Sequence, residues 1–460
     1  MFGVNRSHRS RRSGVARPLG VVGVVALALV LLAAACGKDE PKPSASSTSV
    51  PSVAANTTVP PLPNPQTNPA FSQPSDPFYV PPSPLPAGKP GDIIRSQPMA
   101  GAPAGSQAFQ VLYHSTSVSG QDIAVSGFIV VPDGDAPAGG RPVVTWAHPT
   151  TGVVDSCAPS TSPLGFTILG GLEPMLQAGY VVAATDYEGL GTPGVHPYLV
   201  GDSEGRSTLD AARAAVNLPQ ASASKDVAVW GWSQGGQAAL FAGQLAPIYA
   251  PELKLVGVAA AAPAGELATL LTDDMNTLDG VVLGSYALNA YQFVYQSAHP
   301  GLDANTLLTP AGQQALPELV KLCDLTQSAE QEQIANPIIG KFYAQAPADV
   351  SPWNELLAAN TPGGFPTPAP IYIAQGTADP LVIPSTTVTL AQNICNLGGN
   401  VRLEEYVGAV HTNIAFVAAN DVVTWIGQRF AGQPASSTCG QPTQTVPAGG
   451  SVSSAPPATP

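Results

Sequence analysis

Between about residue 90 and residue 438, short strand-like runs alternate with stretches whose apolar residues recur at helical spacing. The strand candidates are IAVSGFIVVP (Ile123 to Pro132), RPVVTWAH (Arg141 to His148), YVVAATDYEG (Tyr180 to Gly189), DVAVWGW (Asp226 to Trp232), KLVGVAAAAP (Lys254 to Pro263), PIYIAQGTAD (Pro370 to Asp379) and VRLEEYVGAV (Val401 to Val410). Between them lie the helical candidates GLEPMLQAGY, STLDAARAAVNL, GGQAALFAGQLAPIY, STTVTLAQNICNLG and NIAFVAANDVVTWIGQRFA. Most of the later strand candidates are continuously apolar, as strands buried on both faces of a parallel sheet are. The alternation predicts an α/β fold with a mainly parallel sheet. One interval breaks the rhythm: about 264–369 holds no convincing strand, only helix-like stretches such as LATLLTDDMNTLDGVVLGSYALNAYQFVYQ and PAGQQALPELVKLCDLT. This reads as an inserted helical cap, and the alternative is an ordinary run of sheet-flanking helices.

The two ends follow other patterns. Arg6, Arg9, Arg11, Arg12 and Arg17 form a basic region before the apolar stretch Leu19 to Ala35, which marks 1–35 as an export signal. The stretch is short for a bilayer span, which needs about 20 residues. It ends at Cys36 in LLAAACGKDE, similar to the lipobox of bacterial lipoproteins, in which such a cysteine is acylated; Ala33 stands where Leu is usual. Lipidation at Cys36 is the expectation, with a plainly cleaved signal or a retained anchor helix as alternatives, and Arg11-Arg12 leaves a twin-arginine route open. Residues 36–78 are rich in Pro, Ser and Thr and poor in large apolar side chains, so they read as a disordered tether. The expected folded domain is 79–439, with 440–460 a second disordered tail.

Composition narrows the function. Charged residues are only 11% of the chain, against roughly 25% in an average soluble protein, while Pro and Gly number 49 and 46. The formal net charge is -13 and no basic stripe lies beyond the first twenty residues, so nucleic acid is an unsuitable partner. Beyond Cys36 four cysteines remain: Cys157, Cys323, Cys395 and Cys439. An even count in an exported chain predicts two disulfides, with three pairings open. No CxxC pair is present, which argues against a zinc ribbon or a thioredoxin-like site, and no metal is expected.

The chemistry gathers at GWSQGG (Gly231 to Gly236), between a strand candidate and a helix candidate. In that context G-x-S-x-G forms a nucleophile elbow, a sharp turn whose small neighbours let strand and helix approach. Ser233 would then stand above the sheet's C-terminal edge at a helix N-terminus, where oriented N–H groups favour developing negative charge. A serine hydroxyl needs a base, and the base needs a carboxylate to hold its tautomer. In α/β-hydrolases these follow in the order Ser, Asp or Glu, His. Only His299 and His411 lie after Ser233, and His411 follows the last strand candidate where the order requires the base. Asp379, just past a strand in QGTADP, is the expected acid; Asp273, Asp274, Asp303 and Asp324 read as solvated charges of the helical interval. For the oxyanion, the N–H of Gln234 and a donor from AHPTTG (Ala147 to Gly152) are needed. Pro149 has no N–H, so Thr150 or Thr151 is the candidate, with His148 organising the loop.

Together WAHPTTG, DSCAPS (Asp155 to Ser160), TDYEGLGTPGVHPYL (Thr185 to Leu199), GWSQGG, GTADPLV and GAVHTN resemble the secretory lipase family of α/β-hydrolases, from about Pro90 to Gly432. The resemblance implies a Ser233, Asp379 and His411 triad, a helical cap shaping an acyl pocket, and carboxylic-ester hydrolysis without a cofactor. It also implies disulfides Cys157 to Cys323 and Cys395 to Cys439. Bacterial relatives usually have glycine where Pro149 stands, so the oxyanion loop departs from the pattern. Asp186, Tyr187 and Glu188 belong to the resemblance with a structural role expected.

The reading is an exported esterase or lipase, anchored to the membrane through Cys36, acting on a small-molecule or lipid ester. An acyltransferase on the same triad, a serine peptidase and a non-catalytic cell-surface binding protein are the alternatives.

Overall fold

The computed structural model describes residues 74–447. The signal segment, Cys36 and most of the expected tether lie outside the described residues, as does the tail beyond 447.

Among the described residues ten strands form one sheet: β1 (Ile93–Pro98), β2 (Ser106–Thr116), β3 (Asp122–Pro132), β4 (Arg141–Ala147), β5 (Val181–Thr185), β6 (Ala223–Trp232), β7 (Lys254–Ala261), β8 (Ile371–Gly376), β9 (Val401–Val407) and β10 (Gln444–Pro447). Their order is β1-β2-β3-β5-β4-β6-β7-β8-β9-β10. β1, β2 and β3 pair antiparallel, β3 pairs antiparallel with β5, and every pair from β5 to β10 is parallel. Every residue of β5 and β8 is buried, which is why these strands read as unbroken apolar runs.

Among the described residues twelve α-helices accompany the sheet. α1 (Leu164–Thr167) and α2 (Leu172–Gln177) precede β5, α3 (Gly201–Asn217) follows it, and α4 (Gln234–Tyr249) follows β6. Between β7 and β8 come α5 (Leu267–Asp274), α6 (Leu278–Tyr295), α7 (Pro310–Leu319), α8 (Ser328–Ala335) and α9 (Trp353–Ala359); α10 (Pro384–Asn396), α11 (Ile414–Val417) and α12 (Ala419–Phe430) follow later. Apolar residues of α3, α4 and α10 cover one face of the sheet, with Leu209, Leu240 and Leu390 in that layer. Those of α2 and α12 cover the other, with Met175 and Trp425. The interval between β7 and β8 has its own apolar core around Val281, Tyr286, Leu307 and Phe342, joined by Tyr198 and Val200.

Three differences from the sequence reading have physical causes. β1 and β2 escaped notice because β2 interleaves polar residues with apolar ones, Gln110 pairing with Gln97 of β1, His114 with Asp122 of β3 and Ser115 with Asp210 of α3. The run TDYEG leaves the sheet after Thr185, where Tyr187 turns with φ 70°. The tail is not wholly free: Gln444–Pro447 pairs with Glu404 to Val407 as an edge strand, tethered by the disulfide between Cys439 and Cys395. The other disulfide joins Cys157 to Cys323, the pairing the resemblance implies.

Candidate active site

β6 ends at Trp232 and α4 begins at Gln234, leaving Ser233 alone to make the turn at φ 59°, ψ -118°. Such a backbone costs a non-glycine residue about 1–3 kcal/mol and persists only when its surroundings over-determine it. They do so here: the Ser233 N–H donates to Ala261 O in β7 (2.9 Å), and its carbonyl accepts from Gly236 N (2.9 Å) and Ala264 N (3.1 Å). The glycines are steric requirements. A β-carbon on Gly231 would stand 2.0 Å from Gly235 O, and one on Gly235 would stand 1.9 Å from Ala147 O at the end of β4.

Ser233 Oγ lies 2.9 Å from His411 Nε2, and His411 Nδ1 lies 2.9 Å from Asp379 Oδ2. The three side chains come from the ends of β6, β9 and β8, whose parallel register brings their C-terminal ends to one edge. With Nδ1–H directed at the carboxylate, Nε2 is the free acceptor for the serine hydroxyl. Asp379 is oriented from behind: its Oδ1 accepts from Leu381 N and Val382 N (both 2.9 Å). Gln375 Nε2 approaches its Oδ2 at 3.4 Å and donates to Val382 O at 2.9 Å. Trp232 Nε1 donates to His411 O (3.1 Å), tying His411 to the end of β6.

Gln234 opens α4, so its backbone N–H has no acceptor within its own helix. Its side chain is fixed in the interior: Nε2 donates to Glu204 Oε1 (2.7 Å) and to His196 Nε2 (2.8 Å). His196 in turn donates from Nδ1 to Glu188 O (2.8 Å), and Leu199 N donates to Glu204 Oε1 (2.8 Å). Burial holds His196 neutral, with its pKa lowered to about 3, and pushes Glu204 up to about 8. Sequence reading missed this network because only the fold brings α3, the loop before it and the elbow together.

The loop after β4 carries Thr150 and Thr151, both buried. Thr150 Oγ1 lies 2.8 Å from the Tyr198 hydroxyl, and the Thr151 carbonyl accepts from Asp324 N (2.9 Å) while its buried hydroxyl has no hydrogen-bond partner among the described residues. His148 Nδ1 donates to Pro149 O (2.6 Å), its ring lies 4.3 Å from that of Tyr187, and burial lowers its pKa to about 4. It therefore organises the loop as a neutral ring. Asp186 is likewise internal: its carboxyl accepts from the hydroxyls of Ser126 and Ser160 and from Ser160 N (2.9 Å). Glu188 accepts from Ser203 Oγ (2.6 Å). His299 lies in the turn after α6, apart from these residues.

Two acids depart from the sequence reading as solvated charges. Asp274 is buried and lines the cavity that contains Ser233, and Asp324 is partly buried with its pKa raised to about 6 by burial. The packing of α5 and α6 beside Ser233, which no local pattern encodes, takes Asp274 out of water.

The profile of the secretory lipase family matches residues 167–438. The chain is 29% identical over 414 residues to Lipase 6 of Candida albicans, covering 79% of this chain and 83% of that protein. It is 27% identical over 379 residues to "Probable inactive lipase MT1628" of Mycobacterium tuberculosis, covering 78% and 82%. Its backbone superposes on the closed state of Candida antarctica lipase A with a TM-score of 0.65 at 21% identity, covering 83% of this chain and 90% of that one. That likeness establishes the α/β-hydrolase fold.

Proposed function

The chain belongs to the secretory lipase family, and from that premise we propose that it is an exported carboxylic-ester hydrolase working through an acyl-enzyme on Ser233. The observation that carries this reading is the unbroken run of 2.9 Å contacts from Ser233 through His411 to Asp379. In the proposed reaction His411 Nε2 takes the proton as Ser233 Oγ attacks the ester carbonyl, and Asp379 holds the imidazolium that forms. The N–H of Gln234 and a donor of the Thr150 and Thr151 loop stabilise the oxyanion. His411 then protonates the departing alcohol, and water attacks the acyl-enzyme by the same route in reverse.

The interval between β7 and β8 acts as the cap. α5 and α6 direct Leu267, Leu270, Leu283 and Tyr291 at the cavity beside Ser233, giving an apolar wall suited to an acyl chain. We read Cys36 as a lipid anchor; Cys36→Ser is expected to move the protein from membranes to the soluble fraction, and unchanged retention would favour an uncleaved helix.

Labelling with a fluorophosphonate probe tests the central reading. The soluble domain is expected to label, and Ser233→Ala and His411→Ala to abolish it. The relative named as inactive motivates a second, non-catalytic reading, which folded but unlabelled wild type would support.

A further inference from the structure

On α5 and α6, two of the helices that line the cavity, an acid stands at one end of the lining face. On α5, Leu267, Leu270, Leu271 and Asp274 follow the i, i+3, i+4, i+7 spacing of a single helix face, and all four line the cavity. On α6, Asp279 precedes Leu283 and Ala287 at steps of four, again all on the lining. Helical periodicity calls for a leucine at 274, and the chain supplies a carboxylate.

That carboxylate is unusually placed. Asp274 is only 9% exposed, and while Thr277 donates to its backbone carbonyl, its carboxylate receives no hydrogen bond among the described residues; burial, then the neighbouring charges of Asp279, Asp273 and Asp379, act on it. An unpaired carboxylate buried this far is costly unless a donor reaches it. Both carboxylates line the same cavity as Ser233. The cavity itself is narrow, about 70 Å³.

We propose that Asp274, with Asp279 at the rim, selects esters whose alcohol part carries free hydroxyls beside the scissile bond, such as partial acylglycerols, over simple alkyl esters. This rests on the reading of Ser233 as an ester-cleaving nucleophile. The leucine-rich walls take apolar carbons, and the aspartates supply the acceptors that hydroxyls need once water is excluded. A permanent cation fits less well. Burial raises Asp274 to about 7, so at neutral pH it offers only part of a counter-charge in an otherwise apolar space. Anionic esters would meet the pair as like charges.

The test compares kcat/KM for glyceryl monobutyrate and ethyl butyrate, which share an acyl chain, in wild type, Asp274→Asn, Asp274→Leu and Asp279→Asn. Each preparation is normalised by fluorophosphonate titration of Ser233. Wild type is expected to favour the glyceryl ester by about tenfold, the worth of one good hydrogen bond. Asp274→Leu should bring the ratio to near unity, while the near-isosteric Asp274→Asn, which keeps an acceptor, retains part of it. A wild-type ratio near one, or a ratio unchanged in both Asp274 variants with normal titration, overturns this inference and leaves the hydrolase reading standing. Preference for choline butyrate over the glyceryl ester overturns it in favour of cation recognition. A folded wild type that does not titrate removes both readings.

Discussion

Gln234, the residue after the proposed nucleophile, donates its side-chain amide to Glu204 of α3 across 2.7 Å. The same carboxyl oxygen accepts from Leu199 N, whose residue lines the cavity with Ser233. One buried acid therefore holds both the start of α4 and a wall of the site.

Glu204→Leu leaves Leu199 N without its acceptor and Gln234 Nε2 with only His196, and each buried N–H left unpaired costs about 1–3 kcal/mol. A shift of the Gln234 N–H relative to the oxyanion position is expected to lower kcat by about tenfold or more, with a smaller change in KM. Glu204→Gln keeps an acceptor oxygen and should recover most of the loss. Steady-state kinetics normalised to titratable serine checks this. Equal kcat in the leucine variant would reduce Glu204 to a packing residue.

Stability is expected to fall between about pH 6.5 and pH 8. Burial raises Glu188 to about 7 and Glu204 to about 8, from 4.5 in each case. Across this window the folded chain keeps protons that the unfolded chain has released, so rising pH favours unfolding. The neutral, buried His148 and His196 act oppositely, adding stability as pH rises, but only up to about 6.5, where the unfolded imidazole has also lost its proton. Thermal melts should show Tm several degrees lower at pH 8.5 than at pH 6.5, with a flatter profile in Glu204→Gln. A flat wild-type profile would contradict the burial of these acids.

Gly235→Ala is expected to disable the site without touching any reacting group. Its new methyl would collide with Ala147 O and His148 O, both backbone atoms, so the loop of Thr150 and Thr151 must move. Activity per folded molecule should drop by at least about a hundredfold, as for loss of an oxyanion donor. Near-normal kcat would show that this loop is not part of the machinery.

The disulfide between Cys157 and Cys323 ties the segment after the Thr150 and Thr151 loop to the stretch between α7 and α8. Replacing both cysteines by serine should cost about 2–5 kcal/mol of stability. It should also loosen the Asp324 N to Thr151 O contact one residue away. Non-reducing peptide mapping and thermal melts check both parts, and an unchanged Tm would mean the helical interval is held by its apolar core alone.

The sequence by itself determined the parts whose signals are local. Continuous apolar runs marked the parallel strands because both faces of β5 and β8 are covered. GWSQGG marked the elbow because Gly231 and Gly235 stand where strand and helix backbones meet. The chain order of Ser233, Asp379 and His411 singled out three side chains that parallel register then carried to one edge. What only the tertiary structure decided lies between segments distant in sequence. It packed α5 and α6 beside Ser233 and so turned Asp274 from a surface charge into a buried one. It joined His196 and Glu204 to Gln234, and Gln375 to Asp379, through hydrogen bonds that no spacing announces. Periodicity reports which face of an element is buried; it is silent on which element covers that face, and that covering sets the solvation and partners of every polar group at this site.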